Sequence, residues 1–314
     1  MAEVTEWERF AATLGDPVQD ELDFADPPTV LGTGVASLDS VLVGGLTPGC
    51  HVLMAPPGGG KSALALFVAM CVAAQGGRVL FASTEMTRQQ CLARLSSAVA
   101  HTTPGITDFY WSAWEQMGRE ARRELSRYDI PDPLDRADFL GRFPAVAAMR
   151  ELRRRCPGLA ISDDGHVTSV DALRETCADG ARAGLGLVVV DYLQRLRPPD
   201  GCERDDQYRQ VTETSRALMR MARELSLPVI VVSSMNRESM RAKKADMTGG
   251  RGSGDIEYDA VTIWQLTDGE RHDGAGKRLD LHVTKNRRGP TTTGGEPLHL
   301  LYDPHHNVFS EVDG

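Results

Sequence analysis

The sequence predicts an α/β fold, with a mostly parallel central sheet flanked by helices and an antiparallel extension toward the C-terminus. The first reason is residues 49–70, where an apolar run (50–55), a Pro/Gly tract and a helically spaced run (Leu64, Phe67, Val68, Cys71, Val72) follow one another. The second is a set of further apolar runs at 78–82, 187–190 and 227–232, separated by helical patterns and each followed by polar residues. The third is the change of rhythm near the end. Short strand signals at 261–266, 279–284 and 298–301 alternate with hairpin-like turns at Asp268-Gly269 and 273–276.

Composition narrows the function classes. The 314 residues are 41% hydrophobic and 25% charged, ordinary for a globular protein with a sizeable core. No apolar run has the length of a bilayer span, and the opening MAEVTEWERF lacks the pattern of a signal peptide, so a cytoplasmic protein with no membrane partner is expected. The six cysteines are scattered and read as reduced thiols. The eight histidines show no metal-ligand spacing, and His305-His306 reads as a solvated turn. The net charge of −9 is uneven: residues 1–28 hold eight acidic groups and one basic, which leaves the remainder at −2. An acidic total therefore does not exclude a basic channel for nucleic acid.

Taken in order, residues 1–28 begin with a Trp7, Phe10, Ala11, Leu14 stripe on a short acidic helix and continue as an acidic, Pro-containing linker. So short a helix is marginal alone, so its stripe is expected to dock on the core or on a neighbouring subunit. Residues 29–314 form the core domain. In residues 55–62, APPGGGKS, the glycines permit a tight turn and the helix start presents backbone N–H groups to an anion. Pro57, Gly58, Gly59, Gly60, Lys61, Ser62 and Ala63 would surround nucleotide phosphates. Lys61 would reach the β- and γ-phosphates and Ser62 would take a Mg²⁺ position. Ala55 stands where the strict motif has Gly.

After the strand at 78–82, Glu85 is a candidate general base, with a helix-start acid as the alternative. Trp111, Trp114, Met117, Ala121 and Leu125 read as one helix face, and Pro131, Pro133 and Pro144 divide that region into short helices. A short strand is expected at 159–161, and a helix at 169–183 with Gly184 as its C-terminal stop. Asp191 follows the β-branched run 187–190, where a Mg²⁺-holding carboxylate belongs downstream of a phosphate loop. A polar loop at 197–210, a helix from about Gln210 to Leu225 and a second loop at 238–255 come next. From Arg237 to Arg251 the chain carries five basic and two acidic residues. Lys285-Asn286-Arg287-Arg288 directly follows a predicted strand, either as a solvated turn or as cationic fingers aimed at a phosphate.

In this order and at these gaps, TGVASLDSVLVGGLTPG, APPGGGKSALAL, FASTEM, LGLVVVDYLQRL, PVIVVSSMNR, RGSGDIEYDA and KNRRGPT resemble the RecA-like ATPase core of DnaB-type hexameric replicative helicases, from about Gly32 to Val312. Family members also use Ala at the position of Ala55. The resemblance implies a RecA-like P-loop NTPase that uses ATP and Mg²⁺ and works as a ring-shaped homo-oligomer, a hexamer, on single-stranded DNA with 5′ to 3′ polarity. It gives Lys61 and Ser62 the triphosphate and metal, Glu85 the attacking water, and Asp191 the metal. Lys285 and Arg287 would reach a neighbouring subunit's γ-phosphate. It further implies that the loops at 197–210 and 238–255 line a DNA channel, with Arg241, Lys243, Lys244, Arg251, Gly252, Ser253 and Gly254 as contacts. Ser234, Asn236 and Arg237 fall on the nucleotide-sensing segment, where Ser234 replaces the family's usual Gln. The family's helical N-terminal domain, which contacts primase, is not recognised before the core, so a loader or primase-like partner is expected only as a possibility of the resemblance. The expected function is an ATP-dependent DNA helicase; the alternative is a DNA-binding RecA- or KaiC-like regulatory or recombination ATPase without unwinding.

Overall fold

A computed structural model describes residues 30–163, 165–167, 169–202, 205–234, 259–269 and 276–312. The chain divides into two units, Met1–Val30 and Leu31–Gly314, and all described residues but Val30 belong to the second. The acidic helix and linker read at 1–28 lie outside the described residues.

Among the described residues one sheet of nine strands organises the unit. In chain order the elements are α1 (Ala36–Val41), β1 (Gly49–Ala55), α2 (Lys61–Ala74), β2 (Val79–Ser83), α3 (Arg88–Thr102), α4 (Trp114–Leu125), α5 (Pro133–Leu140), α6 (Pro144–Arg155), β3 (Leu159–Ser162), α7 (Val170–Arg182), β4 (Leu187–Asp191), α8 (Gln207–Glu224), β5 (Pro228–Ser234), β6 (Thr262–Asp268), β7 (Lys277–Asn286), β8 (Leu298–Asp303) and β9 (Val308–Glu311). The sheet order is β3-β2-β4-β5-β1-β6-β7-β8-β9. Pairing is parallel from β3 through β6 and antiparallel from β6 to β9, as the sequence predicts.

Continuous apolar runs form the central strands because both sheet faces are covered. Residue parity divides them. Leu53, Phe81, Val189 and Ile230 pack with α2 and α3 on one face. Val52, Met54, Val188, Val190 and Val231 pack with α7 and α8 on the other. All seven residues of β1 and all five of β4 are buried, so the segments that follow them are held by rigid neighbours.

Several boundaries differ from the sequence reading. Trp111 is not on a common helix with Trp114, because α4 begins at Trp114. Trp111 lies in a 3₁₀ turn, its ring under the Arg94 guanidinium at 4.2 Å and its indole N–H donating to the Pro304 carbonyl. The helix expected from Gln210 begins at Gln207, because the Asp206 side chain accepts from Arg209 N–H and caps it there. The loop before it is correspondingly shorter than 197–210. The strand β9 has no counterpart in the sequence reading. Of the turns read at Asp268-Gly269 and 273–276, Asp268 closes β6 and the rest belongs to the single connection to β7, of which 270–275 lie outside the described residues. Pro133 and Pro144 start α5 and α6, where a missing N–H costs nothing. All six cysteines are free, and Cys50, Cys91, Cys156 and Cys177 are buried.

One core polar group ties stability to pH. His51 on β1 is buried between the Thr262 hydroxyl and the Thr47 carbonyl, each 2.8 Å from a ring nitrogen. The neutral ring satisfies both: one N–H donates to the carbonyl and the other nitrogen accepts from the hydroxyl. Burial, the dominant influence, lowers its pKa from 6.5 to about 4. Between those values the unfolded chain carries the proton and the folded chain does not. Stability is therefore complete above pH 6.5 and falls as pH drops toward 4, by about 3 kcal/mol. Denaturant unfolding of the wild type and His51→Gln between pH 7 and 4.5 checks this: the variant is expected to have the shallower pH slope, and equal slopes would refute it.

Candidate active site

The site begins where β1 ends. Ala55 closes the strand, residues 56–60 turn, and α2 starts at Lys61. Gly58 and Gly60 make this possible, with φ of 72° and 90° that residues with a Cβ rarely adopt. Gly60 is the N-cap of α2, and no side chain caps it. By contrast Thr87, Ser169 and Asp206 cap α3, α7 and α8 with their own oxygens. The first N–H groups of α2 are thus left to an anion, with the positive end of the helix dipole behind them.

Asp191, the last residue of β4, is fully buried, and its Oδ1 accepts a hydrogen bond from the Ser62 hydroxyl at 2.9 Å. Its Oδ2 is buried with no hydrogen-bond partner among the described residues. Burial raises the Asp191 pKa to about 6; the Ser62 hydrogen bond and the Lys61 charge act in the opposite direction, and the nearby charge of Glu85 adds to the rise. A buried carboxylate oxygen without a partner, next to a serine hydroxyl, is a hard-oxygen donor set that fits Mg²⁺. Lys61 lies beside them, its ammonium 5.9 Å from the centroid of the Tyr192 ring.

Glu85 is exposed and lies beyond the end of β2. The Met86 N–H donates to Ser83 Oγ at 2.9 Å and bends the chain there. The helix-start reading of Glu85 fails on position. Thr87 is the N-cap of α3, with a reciprocal Thr87–Gln90 capping box contributing about 1 kcal/mol, so Glu85 precedes the cap and is not in the first turn.

Two residues without an assigned role in the sequence reading join these parts. Thr84 N–H donates to the Asp191 carbonyl at 2.7 Å, and Thr84 Oγ1 accepts from Tyr192 N–H at 3.1 Å, which locks the end of β2 to the end of β4. Gln194 donates from Nε2 to Ser233 Oγ at 2.9 Å, and its Oε1 accepts from Ser234 N–H at 3.5 Å. Ser234 is thereby connected to the turn after Asp191. A threonine at a strand end next to Glu85 was the only signal for the first. Nothing local marked the second.

Lys285 and Arg287 are not brought to this phosphate loop. In the sheet register Asn286 pairs with Thr262, and Thr262 pairs with His51, near the start of β1. The loop follows Ala55 at the other end of that strand, about 13 Å further along it. Lys285 and Arg287 thus sit at the opposite end of the strands from their own chain's loop. Arg287 approaches Asp259 at 4.0 Å, and its N–H donates to the Val261 carbonyl. Asn286 anchors the turn by donating from Nδ2 to the Val41 and Pro290 carbonyls. Asn236, Arg237, Arg241, Lys243, Lys244, Arg251, Gly252, Ser253 and Gly254 lie outside the described residues. No helix among the described residues is long and apolar enough to cross a membrane.

Comparison with known proteins points the same way as the site. The sequence model of the DnaB-like helicase C-terminal domain matches residues 30–122 and 144–311. The replicative DNA helicase DnaB of Leifsonia xyli subsp. xyli is 32% identical over 272 residues, which cover 84% of this chain and 53% of the relative. That of Geobacillus stearothermophilus is 27% identical over 297 residues, covering 91% and 57%. The chain thus spans about half the length of the relatives it matches. A solved DnaB-like replicative helicase, described with its interactions with primase, is similar at a TM-score of 0.70 and 21% identity, over 94% of this chain and 67% of that one. The RadB recombinase is similar at a TM-score of 0.52 and 16% identity, over 90% and 100%. At these identities the solved structures speak for the fold, which is the RecA-like ATPase arrangement.

Proposed function

The chain belongs to the DnaB-like helicase C-terminal domain family, and we propose that it is the ATPase core of an ATP-dependent DNA helicase, hydrolysing ATP at the subunit interfaces of a ring and translocating on single-stranded DNA. The observation that carries the ATPase part is the Ser62–Asp191 contact with its unpartnered carboxylate oxygen, at the foot of an uncapped helix. Pro57 to Ala63 cradle the phosphates, and Lys61 places its charge against the β- and γ-phosphates. Ser62 and Asp191 are the residues that would hold Mg²⁺. Bound there, the ion would neutralise charge on the phosphate oxygens as the γ-phosphoryl bond breaks. Glu85 orients the attacking water and accepts its proton; ADP and phosphate leave. Because Lys285 and Arg287 lie at the far end of the strands from their own loop, they serve the site of the next copy in the ring, which is a hexamer by family analogy. The 238–255 segment holds the DNA backbone through its basic residues. Polarity is 5′ to 3′, and a loader or primase-like protein is a further partner.

Ser234, in place of the family's Gln, favours one other reading: an ATPase that binds DNA without unwinding it. A forked duplex with ATP turnover measured alongside separates the two. Turnover stimulated by single-stranded DNA together with strand displacement is the expected result. Turnover without displacement would establish the second reading, and no turnover would overturn both.

A further inference from the structure

Away from the phosphate loop, three segments distant in sequence converge on one point. His101 is on the last turn of α3, Asp108 is in the loop after it, and His306 is in the turn between β8 and β9. One donor atom from each lies within 4.8 Å of the other two. His101 Nδ1 is 3.1 Å from Asp108 Oδ2, and His306 Nε2 is 3.2 Å from Asp108 Oδ1. The two imidazoles stack with ring centroids 4.0 Å apart. The sequence reading of His305-His306 as a solvated turn is corrected here, since His306 is 6% exposed. Its Nε2 is buried and lacks a hydrogen-bond partner among the described residues, despite its closeness to Asp108.

The surroundings hold that nitrogen in place. Asp303 Oδ2 pairs with His306 Nδ1 at 2.5 Å, and Asp303 Oδ1 accepts the backbone N–H groups of His305 and His306 at 2.8 and 3.4 Å. With Asp303 on Nδ1, Nε2 is the ring nitrogen that faces Asp108. This carboxylate–histidine pairing is the usual outer support of a metal-ligating imidazole. The turn itself is fixed by Trp111, whose backbone N–H donates to the His305 carbonyl and whose indole N–H donates to the Pro304 carbonyl.

We propose that His101, Asp108 and His306 form a binding site for a divalent first-row transition ion, Zn²⁺ by its donor set. Two imidazole nitrogens and one carboxylate suit Zn²⁺; the two contacts above, made to different oxygens of Asp108, are slightly shorter than the roughly 3.4 Å between ligand atoms around a tetrahedral zinc. His101 and Asp108 are exposed on one side, so water completes the coordination. The ion fastens the far end of the helix that begins just after Glu85 to the turn between β8 and β9. The site does not depend on the proposed helicase activity.

The test is zinc retained by the untagged 314-residue chain after gel filtration in excess Mg²⁺, with calorimetric titration of Zn²⁺. One Zn²⁺ per chain is expected. His101→Ala and Asp108→Asn should each weaken binding at least about tenfold, and Asp303→Asn by about 10- to 100-fold. The side chains of His101 and Asp108 are 41% and 50% exposed, so these two variants keep the fold whatever the effect of changing Asp303. Co²⁺ in place of Zn²⁺ should give a visible ligand-field spectrum that His101→Ala alters. No zinc retained, as for a His–Asp–His charge cluster only, would overturn the proposal. So would zinc binding unchanged in both the His101 and Asp108 variants.

Discussion

Lys61→Ala lowers ATP turnover by at least about 100-fold, with and without single-stranded DNA, and leaves the fold intact. The fold survives because Lys61 is the first residue of α2, only partly buried, and alanine is the better helix former. The chemistry does not. The glycine turn and the uncapped N–H groups can still receive phosphate oxygens after the substitution. What disappears is a positive charge beside Asp191, whose pKa registers it together with that of Arg94. Charge spreading over the γ-phosphoryl oxygens then loses a partner in the transition state, so turnover falls more than nucleotide binding does. Steady-state hydrolysis and nucleotide affinity, measured on the same preparation, check both parts. Unchanged turnover would remove Lys61 from the site.

Parts of the site that lie close together in sequence were legible without coordinates. The strand, glycine turn and helix start at 49–70 are contiguous, so their local signals add up to one structure. Asp191 could be read because a run of buried strand residues announces its own end, and a phosphate loop nearby says what a carboxylate there is for. Thr84, Gln194 and the His101–Asp108–His306 cluster were not legible. Each works through a contact between segments that only the sheet order brings together, and no residue spacing encodes that order. Trp111 failed for a related reason. Its spacing to Trp114 and Met117 suits a helix, but its hydrogen bonds to the β8–β9 turn hold it in a separate 3₁₀ turn. The edge strand β9 is short, and half its residues are exposed, which leaves little periodicity to detect.

Rings assembled from equal amounts of Arg287→Ala and Glu85→Ala chains regain ATP turnover that neither variant has alone. The sheet register keeps Arg287 away from its own loop, which is why the proposed ring has it act on a neighbour's site. Its own phosphate loop is at the opposite end of β1, and Asn286 pins the intervening turn to Val41 and Pro290. The proposed head-to-tail ring would place one copy's β7 end against the next copy's loop. Each pure variant ring then lacks either the water-activating carboxylate or the finger at every interface, and loss of a finger alone costs about 10³- to 10⁵-fold. In the mixture, a copy carrying Arg287→Ala still has Glu85, and a neighbour carrying Glu85→Ala still offers Arg287. Random mixing makes roughly a quarter of the interfaces complete, so turnover should return to a sizeable fraction of wild type if complete interfaces act independently. Rescue should vanish when the two variants are mixed under conditions that prevent subunit exchange. Turnover of the mixture no higher than the mean of the two pure variants, with exchange demonstrated by labelled subunits, would place Arg287 outside the active site.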